Sequence, residues 1–103
     1  MEKYNLTELN KLEKYLRDNG YNVERIDCDE DMEDVERHQV IIYDDDNQRQ
    51  WDAICQPGSY GCRDGLLEIY GSIVDKKRED LVVGYLTADD VIARLKPWEA
   101  SDM

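Results

Sequence analysis

The stretch that most constrains this chain is Gln48–Val74, QRQWDAICQPGSYGCRDGLLEIYGSIV. It concentrates four of the six glycines, two of the three cysteines and one of the two tryptophans. It reads as two strand-like segments joined by a glycine-punctuated connection. Gln48 to Gln56 alternates, with Trp51, Ala53 and Cys55 on one face and Asp52 and Ile54 on the other. Just before it, His38 to Asp44 carries the apolar run Val40-Ile41-Ile42-Tyr43, the mark of a buried strand. Asp45-Asp46-Asn47 lies between the two. Asp and Asn side chains bond to nearby backbone and tolerate left-handed dihedrals, so a hairpin is expected here.

The second half of the stretch fits two templates. As a strand, Leu66–Val74 puts Leu67, Ile69, Gly71 and Ile73 on one face. As a helix, Leu66, Tyr70 and Ile73 also form a stripe. The β-branched Ile69, Ile73 and Val74, with Gly65 and Gly71, favour the strand. Pro57–Gly65 between the strands has a phosphate cradle's glycine content but neither its Lys nor its spacing. Its glycines read as turn residues with positive φ.

The flanks supply helices and further strands. Asn5–Asn19 is amphipathic through Leu9, Leu12 and Leu16, with Asn5 as cap, a Glu13–Arg17 pair and Gly20 as the stop. Tyr21–Cys28 is the first strand, with a bulge or early end where Val23 and Ile26 break alternation. Leu81–Leu86 is a short strand in which Gly84 marks a close approach. Thr87 caps a last helix, with Asp90 completing a capping box, Val91, Ile92 and Leu95 as its buried stripe, and Pro97 as its stop. Trp98 is expected to pack back, and residues 99–103 to fray. The sequence therefore predicts one domain over residues 1–103. Its class is α+β, an antiparallel sheet of four to five strands with an N-terminal and a C-terminal helix packed on one face.

Charge narrows the partners. There are 25 acidic residues against 13 basic ones, a formal net charge of -12. Nucleic acid and anionic membranes attract basic surfaces, so neither is an expected direct partner. A protein with a basic surface is. The acidity clusters at Asp29-Glu30-Asp31-Met32-Glu33-Asp34-Val35-Glu36 and again at Asp44, Asp45 and Asp46. The candidate partner-binding residues are Asp29, Glu30, Asp31, Glu33, Asp34 and Glu36, then Asp44, Asp45 and Asp46. Tyr60 and Arg63 of the glycine-rich loop join them, because aromatic and Arg side chains on a shaped loop anchor interfaces.

Catalytic and metal readings find less support. Asp27, Asp29 and Asp31 match the first ligand positions of an EF-hand, but Met32 stands where the loop needs Gly and His38 where it needs Glu. The cysteines lack zinc-knuckle spacing. No metal and no cofactor is expected. A small Cys-dependent enzyme would need His38 beside Cys55 or Cys62, with Cys62 an exposed thiol activated by Arg63. No oxyanion motif accompanies that pair. Residues 1–25 lack an apolar core region, no run reaches a membrane span, and three unframed cysteines read as free thiols in a reducing cytoplasm.

Trp51, the GSYG of Gly58–Gly61, the GLLEIYG of Gly65–Gly71 and the GYLTADDVIARL of Gly84–Leu95 give the chain a likeness over Tyr21 to Leu95. It resembles small acidic proteins encoded in phages, prophages and mobile elements. That resemblance carries no catalytic residues. It implies a protein that binds a host protein, as anti-CRISPR inhibitors and DNA mimics do. The alternative is a structural or oligomerising accessory domain whose acidity serves solubility.

Overall fold

The computed structural model describes residues 5–29, 36–75, 77 and 79–101. The chain runs α1 (Thr7–Asp18), β1 (Asn22–Cys28), β2 (Arg37–Tyr43), β3 (Arg49–Ile54), a 3₁₀ turn (Cys62–Asp64), β4 (Leu67–Gly71), β5 (Val82–Leu86), α2 (Ala88–Ile92) and α3 (Leu95–Ser101). The five strands form one sheet in sequence order, and every neighbouring pair is antiparallel. The class is α+β. Short connections keep consecutive strands adjacent, so the sheet is a plain meander.

Alternation builds the core. Val40 and Ile42 of β2 face Ala53 and Trp51 of β3 across the ladder, and Ala53 faces Ile69 of β4. These side chains are almost fully enclosed. Leu9, Leu12 and Leu16 of α1 join the same cluster, as do Ala88 and Val91 of α2 and Leu95 of α3. Burying one such aliphatic side chain is worth roughly 1.5–3 kcal/mol, so the single cluster dominates the fold's stability.

The helix ends follow their local chemistry. Asn5 is not the cap of α1: that position is Leu6, which makes no side-chain cap bond, and the Asn5 side chain, one residue earlier, accepts from the Thr7 amide at 3.0 Å. At the other end the Tyr21 amide reaches the Leu16 carbonyl and the Gly20 amide the Arg17 carbonyl. Gly20 sits at φ 81, so this is a Schellman stop. Thr87 and Asp90 form the expected reciprocal capping box. Glu8 links two helices. Its carboxylate accepts from the Ala88 amide at 2.7 Å, tying the first turn of α1 to the first turn of α2.

Several expectations need correcting. β1 keeps continuous register with β2 and has no bulge; the bulges lie at Ile42/Tyr43 and between Leu67 and Ile69. Leu66–Val74 is a strand only to Gly71, after which Ile73 and Val74 bury themselves from a turn. Pro97 does not stop the C-terminal helix. It sits in the first turn of α3, where its missing N–H goes unneeded, and residues 99–101 continue that helix. Trp98 does pack back, edge-on to Trp51 with ring centroids 6.1 Å apart.

Candidate functional site

The glycine-rich loop after β3 is a built structure. Its entry is locked by Ser59, whose hydroxyl accepts from the Gln56 amide and donates to the Gln56 carbonyl. Gly61, at φ 101, reverses the chain into the 3₁₀ turn. That reversal sends Cys62 into the core and leaves Tyr60 55% exposed.

Tyr60 is then fixed from two sides. Its amide donates to Glu68 Oε1 at 3.0 Å, and its carbonyl accepts from the Tyr85 amide at 3.2 Å. The loop is thereby held to both β4, through Glu68, and β5, through Tyr85. The approach requires Gly84, because a Cβ there would lie 2.2 Å from the Tyr60 Cβ. Tyr85 itself takes φ 60, a left-handed conformation rare for a bulky residue. Such a conformation costs on the order of 1–3 kcal/mol and persists only where its surroundings enforce it. Here it projects the Tyr85 ring, 62% exposed, alongside that of Tyr60. The rings stack with centroids 6.4 Å apart and planes at 23°. Together with residues 58–64 they line an open cleft of about 330 Å³. Arg63 stands exposed on its rim and makes no ion pair among the described residues.

Tyr85 is the residue that sequence reasoning missed. Its signal was the glycine directly before it, which announced a close approach but not its partner.

The acidic candidates separate in space. The end of β1, the start of β2 and the Tyr60 loop share one end of the sheet, because Cys28 pairs with Arg37 and Gln39 of β2 pairs with Ile54 of β3 there. Asp44, Asp45 and Asp46 lie at the opposite end of β2, roughly 20 Å away at about 3.3 Å per residue. Asp44 is also spent on its own turn, its carboxylate accepting from the amides of Asp46 and Gln48 and from the Gln50 side chain. Asp29 is exposed. Glu30, Asp31, Glu33 and Asp34 lie outside the described residues. Glu36 is not a surface residue: it is 8% exposed, with its carboxylate on His38.

His38 likewise serves neither cysteine. Its Nδ1 lies 2.8 Å from Asp27 and its Nε2 2.7 Å from Glu36. Burial pulls the imidazole pKa down, but the hydrogen bonds and charges of the two carboxylates outweigh it, and the net shift is upward. Asp27 moves the other way. Burial raises it, but the bonds from His38 and Arg25 win and hold it below the usual value.

The cysteines fall differently from expectation. Cys62, expected to be an exposed thiol, is buried, and Cys28 is the partly exposed one. Burial pushes the Cys55 thiol up to about 11, with the neighbouring Cys62 adding to the rise. A thiol at that value is neutral near pH 7 and a poor nucleophile. No group of metal-ligating side chains occurs among the described residues. No helix among them is long and apolar enough to cross a membrane.

Comparisons with protein-family models, curated proteins and solved structures found no match.

Proposed function

We propose that this chain is a non-enzymatic protein-binding domain whose contact surface is the sheet end carrying Tyr60, Tyr85 and Arg63. In this reading the helices, packed on one sheet face, are the scaffold, and the sheet end does the binding. The observation that carries it is the stacked, exposed tyrosine pair held over Gly84 with Tyr85 in a strained backbone conformation. Strain of this kind is retained where it positions a side chain for contact. Tyr and Arg are also the residues that anchor interfaces, because they combine large contact area with polar tips.

The chain's charge of -12 selects the partner's sign. A basic protein surface is drawn in by the net field, and the face of each tyrosine ring favours a Lys or Arg side chain. Asp29, exposed just beyond the end of β1 at that sheet end, strengthens that preference. Inhibition of a host nucleic-acid-binding protein, in the manner of phage-encoded acidic proteins, is one form this activity takes.

The test is capture from bacterial lysate by the wild-type chain and by a Tyr60→Ala/Tyr85→Ala variant, each at rising salt. The expected result is a basic protein held by the wild type, lost by the variant and weakened by salt. Capture that survives both the substitutions and high salt overturns the reading.

A further inference from the structure

The root of the acidic connection between β1 and β2 is held by one histidine. Asp27 is the penultimate residue of β1 and pairs with His38 across the ladder. Glu36 immediately precedes β2. Both ring nitrogens of His38 face a carboxylate oxygen, at 2.8 and 2.7 Å. A neutral imidazole has one donor and one acceptor nitrogen, so it can satisfy only one carboxylate. Only the imidazolium donates to both.

The two carboxylates differ in what else supports them. Asp27 also accepts from the Arg25 guanidinium at 3.1 Å, and its side chain is half exposed. Arg25 in turn bonds Glu13 and Asn10 of α1. Glu36 has His38 as its partner among the described residues, and its side chain is 9% exposed. From β3's end, Gln56 contributes only its side-chain oxygen, which accepts from the His38 amide. Arg37, the neighbouring cation on β2, turns to Gln39 and does not reach Glu36. When His38 loses a proton, its remaining N–H goes to Glu36, the buried carboxylate with no other donor among the described residues, and the bare Nδ1 then faces Asp27, which keeps Arg25. Leaving Glu36 buried and unpaired is far costlier than letting half-exposed Asp27 turn to Arg25 and water.

We propose that Glu36, His38 and Asp27 form a proton-operated clasp. Protonated, it pins the start of β2 to the end of β1. Deprotonated, it releases Asp27 and loosens the end of β1 from the start of β2. The sign follows from the direction in which each group is shifted. His38 titrates above its usual 6.5, so the clasp's contribution is complete below 6.5 and is lost as pH rises through the folded value. Asp27 titrates below its usual 3.8, so the contribution also fades as pH falls through that lower value. The clasp is therefore closed in mildly acidic solution and opens toward alkaline pH. It is independent of any partner.

The test is an NMR titration of the full chain from pH 5 to 9. It follows the His38 ring and, corrected for base catalysis, the amide exchange of Cys28, Arg37 and His38. The expected result is a His38 midpoint above 6.5 and a rise in local opening through that same midpoint. Each pH unit by which the midpoint exceeds 6.5 corresponds to about a tenfold change in the opening constant. In Glu36→Gln the midpoint should drop and the pH-dependent opening shrink, while the fold persists. His38→Gln should abolish the pH dependence altogether. A His38 midpoint at or below 6.5, or exchange at these amides that ignores the midpoint, overturns the clasp.

Discussion

Replacing Gly84 with alanine tests whether the Tyr60 loop is truly clamped to β5. The added Cβ falls 2.2 Å from the Tyr60 Cβ and 3.0 Å from its carbonyl oxygen. Carbon atoms in contact sit about 3.5–4.0 Å apart, so roughly 1.5 Å of movement is needed. Tyr60 Cβ is attached directly to backbone, so the loop itself has to lift. Overpacking of this kind costs about 1–3 kcal/mol. The lift also breaks the 3.2 Å bond from the Tyr85 amide to the Tyr60 carbonyl, worth about 0.5–1.5 kcal/mol. Against this, alanine restricts the unfolded chain and returns about 0.4–1 kcal/mol. The net expectation is a loss of about 1–3 kcal/mol. At about 4 °C or more per kcal/mol for a domain this small, Tm should fall by at least several degrees. Urea unfolding followed by far-UV circular dichroism should show a lower midpoint with an unchanged slope. The tyrosine near-UV signal should weaken as the rings separate. A variant with the wild-type midpoint and the wild-type aromatic signal refutes the clamp.

Three further outcomes follow from the same structure. In native protein one thiol, Cys28, should react readily with an aromatic disulfide reagent, and all three only after unfolding. Rapid reaction of Cys55 or Cys62 in the folded state would contradict their burial. Arg94 grips Glu79 through two bonds of 2.7 and 2.6 Å, fastening the β4–β5 connection to the helical end. Arg94→Ala should cost about 1 kcal/mol in denaturant unfolding near pH 7. The bond from Arg94 outweighs burial and holds Glu79 below its usual 4.5, so that difference should vanish as pH falls through the depressed value. A cost that persists unchanged in strong acid would show that the ion pair is not its source.

What the sequence discloses here is what depends on near neighbours. The apolar run Val40–Ile42, the Asp-Asn turn and the Trp51/Ala53/Cys55 alternation specify the hairpin locally, and the structure contains it. Thr87 with Asp90 specifies a helix start for the same reason. Pro97 misleads because a proline reads alike after one helix and in the first turn of the next. Only the path of the chain at Ala93–Arg94 separates the two. Cys62 misleads because Arg63 beside it suggested exposure. Its burial comes from the reversal at Gly61, a backbone feature with no side-chain signature.

The candidate site was legible in part. Tyr60 and Arg63 stand out by residue type on a glycine-rich loop. Tyr85, some 25 positions later, becomes their neighbour only through β4–β5 pairing and the pressure of Tyr60 on Gly84. The acidic residues look alike in sequence, yet strand direction sends Asp44–Asp46 to the far end, and His38 takes Glu36 inward. A charge count cannot separate a carboxylate spent on a turn or a clasp from one left for a partner.

Binding through the Tyr60–Tyr85 end of the sheet is tested by an NMR footprint of the ¹⁵N-labelled chain with the basic protein it captures. Shift changes and line broadening should concentrate at residues 58–64 and 84–86, with the turn at 44–48 and the helices unmoved. A footprint centred on the 44–48 turn or on the helices, with residues 58–64 and 84–86 silent, contradicts that mode of binding.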